Sequence, residues 1–309
     1  MQVEGTVLTN TASDVLTSLE RDGIAVIQNF LTTNQLQRMQ TAFEARLQHG
    51  RWDDIDGYEK ERYRHVIEDV LTLGQGFVDA ALHPLLKETL REYVGERYQL
   101  AEAKGWRSLP TRRNFHGWHG DAWYDQTKLN FIPREVKLGL YLTDVQTGFF
   151  EYIRDSHQKR APRPVPDWQL GDIPASMIVQ VKGPAGTGFL FDTSGIHRQT
   201  VPILEARSAV FYAYHDPSVP LQKEDLDYYR YHPLLLNAAF LGNLSDEDCR
   251  ILGFGDQQNY FHAFSRRQRH PRLQGIFETL LGAAVVWNSV RVRVEARLRS
   301  VLKLARHVG

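Results

Sequence analysis

Val136-Lys137-Leu138-Gly139-Leu140-Tyr141-Leu142-Thr143 is the stretch that decides the fold. Valine or leucine fills every even position and a polar, small or amphipathic residue every odd one, the period-two pattern of a strand with chemically distinct faces. One face belongs to a core; the other, with Lys137 and Tyr141, lines something else. Further strand candidates lie at 149–153, 176–181, 188–191 and 208–214, with Gly-Pro and Thr-Gly turns between them. Many short antiparallel strands predict a sandwich or barrel.

Upstream, residues 15–48 read as helical at both ends around a short strand, Ile24-Ala25-Val26-Ile27, with Thr32 and Gln35 spaced for a capping box. Helices are expected to continue to about residue 94 and strands to begin near Tyr98. After Pro220 the strand pattern stops. Helical stretches are expected around 234–241 and after Ser245, a good N-cap for Asp246-Glu247-Asp248. The organisation predicted is a β-rich domain over 1–220 with N-terminal helices, followed by a helical extension over 221–309. No internal repeat or low-complexity tract is present.

Composition narrows the function classes. At 309 residues and 42% hydrophobic content the chain is expected to bury a substantial core. Thirty-seven basic residues balance thirty-seven acidic ones, so no overall field draws the chain to nucleic acid. The single cysteine, Cys249, excludes an internal disulfide and a cysteine-based zinc cluster, and suits a reducing compartment. Any metal must be held by histidine and carboxylate. The N-terminus reads as no secretory signal, giving a cytoplasmic expectation. The longest uncharged apolar run late in the chain, 279–290, has twelve residues against the ~20 that a spanning helix needs. Charge is nonetheless uneven: residues 265–309 carry ten Arg or Lys against Glu278 and Glu295, a net of +8. Val290, Val294, Leu298, Val301, Leu302 and Ala305 share one face of a basic amphipathic helix there. Three readings of that helix stay open: packing on this chain or a partner subunit, peripheral docking on anionic lipid, or a solvated tail.

His119-Gly120-Asp121 places an imidazole and a carboxylate two residues apart, the spacing that directs both to one side of an extended chain. Alone the pair carries little weight. His197 comes directly after the 188–191 strand and the turn Asp192-Thr193-Ser194-Gly195, and a jelly roll can return it to the same mouth. Two histidines and one carboxylate make the triad that holds non-haem Fe(II) with open positions. Arg207 opens the 208–214 strand, where a guanidinium can take a distal carboxylate in a bidentate fork, implying a dicarboxylate cosubstrate. His116 is expected on the opposite sheet face, three residues from His119, and His157 and His215 at turn or strand ends. Trp118, Trp123 and Tyr124 are expected either beside the barrel mouth or in the core, and Arg198 in solvent.

With these residues the chain resembles the phytanoyl-CoA dioxygenase family of Fe(II)- and 2-oxoglutarate-dependent oxygenases, over roughly residues 22–214. The resemblance rests on the Asp22-Gly23-Ile24-Ala25-Val26-Ile27 opening, on His119-Gly120-Asp121, on the hairpin from Thr147-Gly148 to Ser156-His157, and on His197 with Arg207. Thr147 replaces the family's Asn, and Arg154-Asp155 its Pro-Gly. The resemblance implies a double-stranded β-helix of jelly-roll or cupin-like form. It also implies iron on His119, Asp121 and His197, 2-oxoglutarate on Arg207, and O2 as co-reactant; Lys137 and Tyr141, on the inward face of a core strand, join the cosubstrate pocket. The implied reaction hydroxylates a C–H bond of a small-molecule, sugar or lipid-linked substrate and releases succinate and CO2. Because Asp121 fills its metal position, hydroxylation, desaturation or cyclisation is favoured over halogenation. The rivals are a catalytically inactive jelly-roll binding module and a cupin-like metal isomerase or hydrolase.

Overall fold

Alternation along Val136–Tyr141 (β4) separates two cores. Its even residues Val136, Leu138 and Leu140 are buried among helix side chains, whereas Tyr141 is buried in a second cluster with Phe150, Phe189, Phe191 and Phe211. This computed structural model describes residues 11–48, 63–67, 70–121, 129–159, 164–219 and 244–252, with helical positions 280, 283, 287, 290, 291 and 294. The predicted helix around 234–241 and residues Trp123 and Tyr124 lie outside them.

β4 hydrogen-bonds Gly188–Asp192 (β7) on one side and Arg207–His215 (β9) on the other. With Ile24–Ile27 (β1), Arg64–Ile67 (β2) and Gln99–Ser108 (β3) they form a six-stranded antiparallel sheet in the order β1-β7-β4-β9-β3-β2. Val145–Ile153 (β5), Ile178–Gly183 (β6) and His197–Gln199 (β8) form a second sheet in the order β6-β5-β8. The aromatic cluster draws residues from both sheets, which face each other as the jelly roll that the sequence predicts.

The outer face of the larger sheet is covered by Ala12–Asp22 (α1), Thr33–Gln48 (α2), Gln75–Ala81 (α3) and Pro84–Tyr93 (α4). Thr11 caps α1 by accepting from the Asp14 amide, and Gly23 ends it in the left-handed region at φ 76°. The Thr32–Gln35 box forms in both directions. Asp167–Leu170 (α5) is a single short turn. Asp246–Ile251 (α6) begins at Ser245 with a complete capping box, and Lys87 and Arg91 of α4 pair with its Glu247 and Asp248. Ile251 and Leu252 enter the helix-side core, so this part of the 221–309 stretch packs on the domain that precedes it.

Two local readings change. β2 interrupts the stretch expected to be helical; it is four residues long, at the sheet edge, and its partner β3 lies some forty residues further on, beyond any local pattern. The stretch 147–157 is no hairpin but the end of β5 running into a turn, where Asp155 adopts φ 62°, the left-handed conformation that makes glycine the easier residue.

Gly139 shows how tightly the interior is filled. A Cβ there would lie 2.2–2.7 Å from the Phe189 ring carbons. Gly139→Ala is expected to cost ~1–3 kcal/mol by overpacking, read as a lowered urea midpoint with unchanged m-value.

Candidate metal and cosubstrate site

Backbone pairing closes the 119–197 separation. His119 and His197 exchange both amide-to-carbonyl hydrogen bonds, at 3.0 and 2.8 Å, and the Asp121 amide donates to the Thr193 carbonyl at 2.7 Å. The imidazole centroids consequently sit 4.4 Å apart. Each ring engages, through Nδ1, the carbonyl oxygen of the glycine two residues earlier: His119 that of Gly117 at 2.9 Å, His197 that of Gly195 at 2.8 Å. A carbonyl only accepts, so both Nδ1 atoms carry the proton and both Nε2 atoms present a lone pair. Those atoms lie 3.5 and 3.7 Å from the Asp121 carboxylate oxygens, and the three donor atoms fall within 4.8 Å of one another.

The local charges suit a cation. Burial works against the Asp121 carboxylate, but Lys137 and the two imidazoles outweigh it and hold the group well below the usual carboxylate range. Burial, with His119 beside it, pushes His197 down to about 3, so its ring is a neutral donor at physiological pH. Lys137 points inward as expected, and its Nζ donates to Asp121 Oδ2 at 2.7 Å. It thereby orients the carboxylate.

Arg207 is buried, 3% exposed, on the inward face of β9, and its Nε and Nη1 have no hydrogen-bond partner among the described residues. Its guanidinium lies 5.7 Å from the Tyr141 ring centroid. The Tyr141 hydroxyl donates to the Val181 carbonyl at 3.0 Å and accepts from the Phe150 amide at 3.1 Å, which ties the two sheets together beside the arginine. Desolvation lowers the Arg207 pKa from its ordinary value. A buried guanidinium with idle donors is costly unless an anion completes it.

Other residues at the site carry little signal in the sequence. Register with β9 places Glu102, Lys104, Trp106 and Ser108 of β3 on the inward face, opposite Ala213, Phe211, Ala209 and Arg207. Lys104 and Glu102 pair at 3.0 Å. Their alternation with Ala101, Ala103 and Gly105 is the one available sign. Arg64 lies over the Trp106 and Phe115 rings and hydrogen-bonds Gln199 at 2.8 Å and His116 Nε2 at 3.2 Å. His116 is therefore not on an opposite face: its ring lies 5.4 Å from that of His119, because the chain before His119 is no regular strand. Arg198 is only partly solvated, its side chain 33% exposed; it pairs with Glu151 at 2.8 Å and lies over Trp118, which is core. His157 and His215 sit in a turn and at the end of β9, as expected. A small recess beside Lys137 is lined also by Ala101, Glu135, Thr193, Ala213 and His215.

The turn that delivers His197 starts from a buried acid. Asp192 accepts from the Ser194 amide and the Tyr93 hydroxyl, each at 2.9 Å, yet burial outweighs these bonds and pushes its carboxyl up to about 7. An acid whose folded pKa is raised supports folding most fully while protonated, and that support is lost as pH rises from about 4 through 7. In Asp192→Asn the amide oxygen still accepts from Ser194, and the Tyr93 hydroxyl can turn to accept from the new amide. The variant is expected to gain stability on wild type across that window, by up to ~1.4 kcal/mol for each pH unit. Paired melts at pH 5 and pH 8 measure the difference; equal shifts at both would refute it.

A family model described as phytanoyl-CoA dioxygenase matches residues 19–198. Among solved structures, EctD from S. alaskensis with 2-oxoglutarate and 5-hydroxyectoine is 21% identical with a TM-score of 0.55, over 71% of this chain and 82% of that one. HygX from Streptomyces hygroscopicus with nickel and 2-oxoglutarate bound is 18% identical with a TM-score of 0.51, over 70% and 90%. The epimerase SnoN in complex with Fe3+, alpha ketoglutarate and nogalamycin RO is 15% identical with a TM-score of 0.53, over 71% and 88%. At such identities the likeness is one of fold. A search of curated proteins finds no match.

Proposed function

The chain belongs to the phytanoyl-CoA dioxygenase family, and from that footing we propose that it is an Fe(II)- and 2-oxoglutarate-dependent dioxygenase hydroxylating a C–H bond of a small-molecule, sugar or lipid-linked substrate. The observation that carries this reading is the pairing, in one barrel, of a His-Asp-His cluster with a buried arginine whose Nε and Nη1 lack partners among the described residues. Two imidazoles and a carboxylate fit ferrous iron and leave positions open for ligands. Arg207 fits the far carboxylate of a dicarboxylic oxo-acid.

Ferrous iron, 2-oxoglutarate and O2 together supply the oxidant for C–H cleavage, the oxo-acid leaving as succinate and CO2. The protein's own part is orientation and exclusion of water. Gly117 and Gly195 fix the ring tautomers through their carbonyls, and Lys137 holds Asp121 by one oxygen. Phe150 and Phe191 pack against His197, with centroids at 5.4 and 5.0 Å, and keep its inner side dry. EctD, HygX and SnoN are all described with 2-oxoglutarate, under either of its names, and HygX and SnoN with a metal as well. A cupin-like isomerase or hydrolase has no use for the Arg207 clamp, and an inactive module has no use for the metal cluster.

Incubation with ferrous iron and 2-oxoglutarate under air tests the reading. Succinate and CO2 are expected, slowly without substrate and faster with a candidate that becomes hydroxylated. No succinate together with no iron uptake would favour the inert module. SnoN is described as an epimerase, so mass analysis of the product decides whether oxygen is inserted.

A further inference from the structure

Leu280, Ala283, Trp287, Val290 and Val294 succeed one another at spacings of three and four residues, which sets them on a single stripe of a helix about 80° wide. All five are exposed, the large ones heavily: Leu280 at 64%, Trp287 at 72%, Val290 at 46% and Val294 at 50%. Nothing among the described residues covers the stripe. In the sequence, apolar character is densest over Leu280-Leu281-Gly282-Ala283-Ala284-Val285-Val286-Trp287. Basic residues crowd the segment beyond Val290: Arg291, Arg293, Arg297, Arg299, Lys303 and Arg306 against Glu295.

We propose that this segment docks the protein on an anionic lipid bilayer, the apolar stripe entering the headgroup boundary and the basic residues meeting lipid phosphate and carboxylate. Charge selects this occupant. A second copy paired stripe to stripe would bring another segment of net +8 against the first, and like charges repel. An anionic leaflet offers the opposite field together with an apolar layer for Leu280, Trp287 and Val294, the combination that holds amphipathic helices in an interface. Among the described residues no helix is long and apolar enough to cross a membrane. The inference is independent of the oxygenase reading.

Full-length protein sedimented with phosphatidylcholine vesicles, with and without phosphatidylserine, tests it. Binding is expected at low salt to the phosphatidylserine vesicles, much less to phosphatidylcholine alone, and to fall at high salt. Arg293→Glu with Arg297→Glu should weaken it by about fivefold or more per residue changed. Trp287→Glu should abolish it while leaving the melting temperature and iron uptake unchanged, since the side chain is exposed. Failure of wild type to sediment with phosphatidylserine vesicles at low salt would overturn the proposal. So would a dimer in light scattering that Trp287→Glu splits, because the stripe would then be a contact between copies.

Discussion

Arg207→Met is expected to stabilise the ligand-free protein while removing its affinity for 2-oxoglutarate. The wild-type guanidinium is desolvated, and its Nε and Nη1 have no partner among the described residues. A methionine of comparable length fills the same space beside Tyr141 without a buried charge. Replacing buried charge by well-packed apolar groups is neutral to stabilising by ~1–4 kcal/mol. Against that, truncating one partner of a buried charged pair costs about 2–5 kcal/mol of binding, roughly 30-fold to several thousand-fold in affinity. Thermal melts and anaerobic titration of 2-oxoglutarate into the metal-loaded protein measure the two arms. Opposite signs are the mark of a residue kept for its ligand. A fall in both stability and affinity would make Arg207 a structural residue and leave the cosubstrate without a clamp.

His197→Ala is expected to abolish stoichiometric iron binding, lowering metal affinity by at least ~100-fold, the upper end of what loss of an outer-shell partner costs. The ring also packs against Phe150, Tyr152 and Phe191, so the deletion opens a cavity in the aromatic core. His197→Gln keeps much of the volume and separates the two effects. It should melt near wild type and still fail to retain iron. Iron retained at wild-type affinity by both variants would remove His197 from the site.

The legible parts of this protein are those where neighbouring positions differ sharply in chemistry. On β4, leucines alternate with Lys137 and Tyr141, so a single strand discloses both the core and the lined interior. His119, Asp121, His197 and Arg207 are legible as a set because few chemistries need all four, and the barrel brings the first three together by direct backbone pairing. β2 is illegible because four residues of edge strand carry no period of their own. The inward face of β3 escapes notice because Glu102 and Lys104 look like a solvated alternation until a partner strand covers them. The expectation for His116 fails because it assumes regular pleating where the chain bends. That for Arg198 fails because no local pattern announces a partner as distant as Glu151. The carbonyls of Gly117 and Gly195 have a signal after all: both histidines of the His-Asp-His cluster stand in a Gly-x-His triplet.

Anaerobic calorimetric titration of ferrous iron, followed by 2-oxoglutarate, into wild type and Arg207→Met tests the central claim most directly. Stoichiometric iron uptake by both proteins is predicted, with 2-oxoglutarate binding confined to metal-loaded wild type. Absence of iron uptake by wild type, or oxo-acid binding of equal strength in the two proteins, would contradict the account.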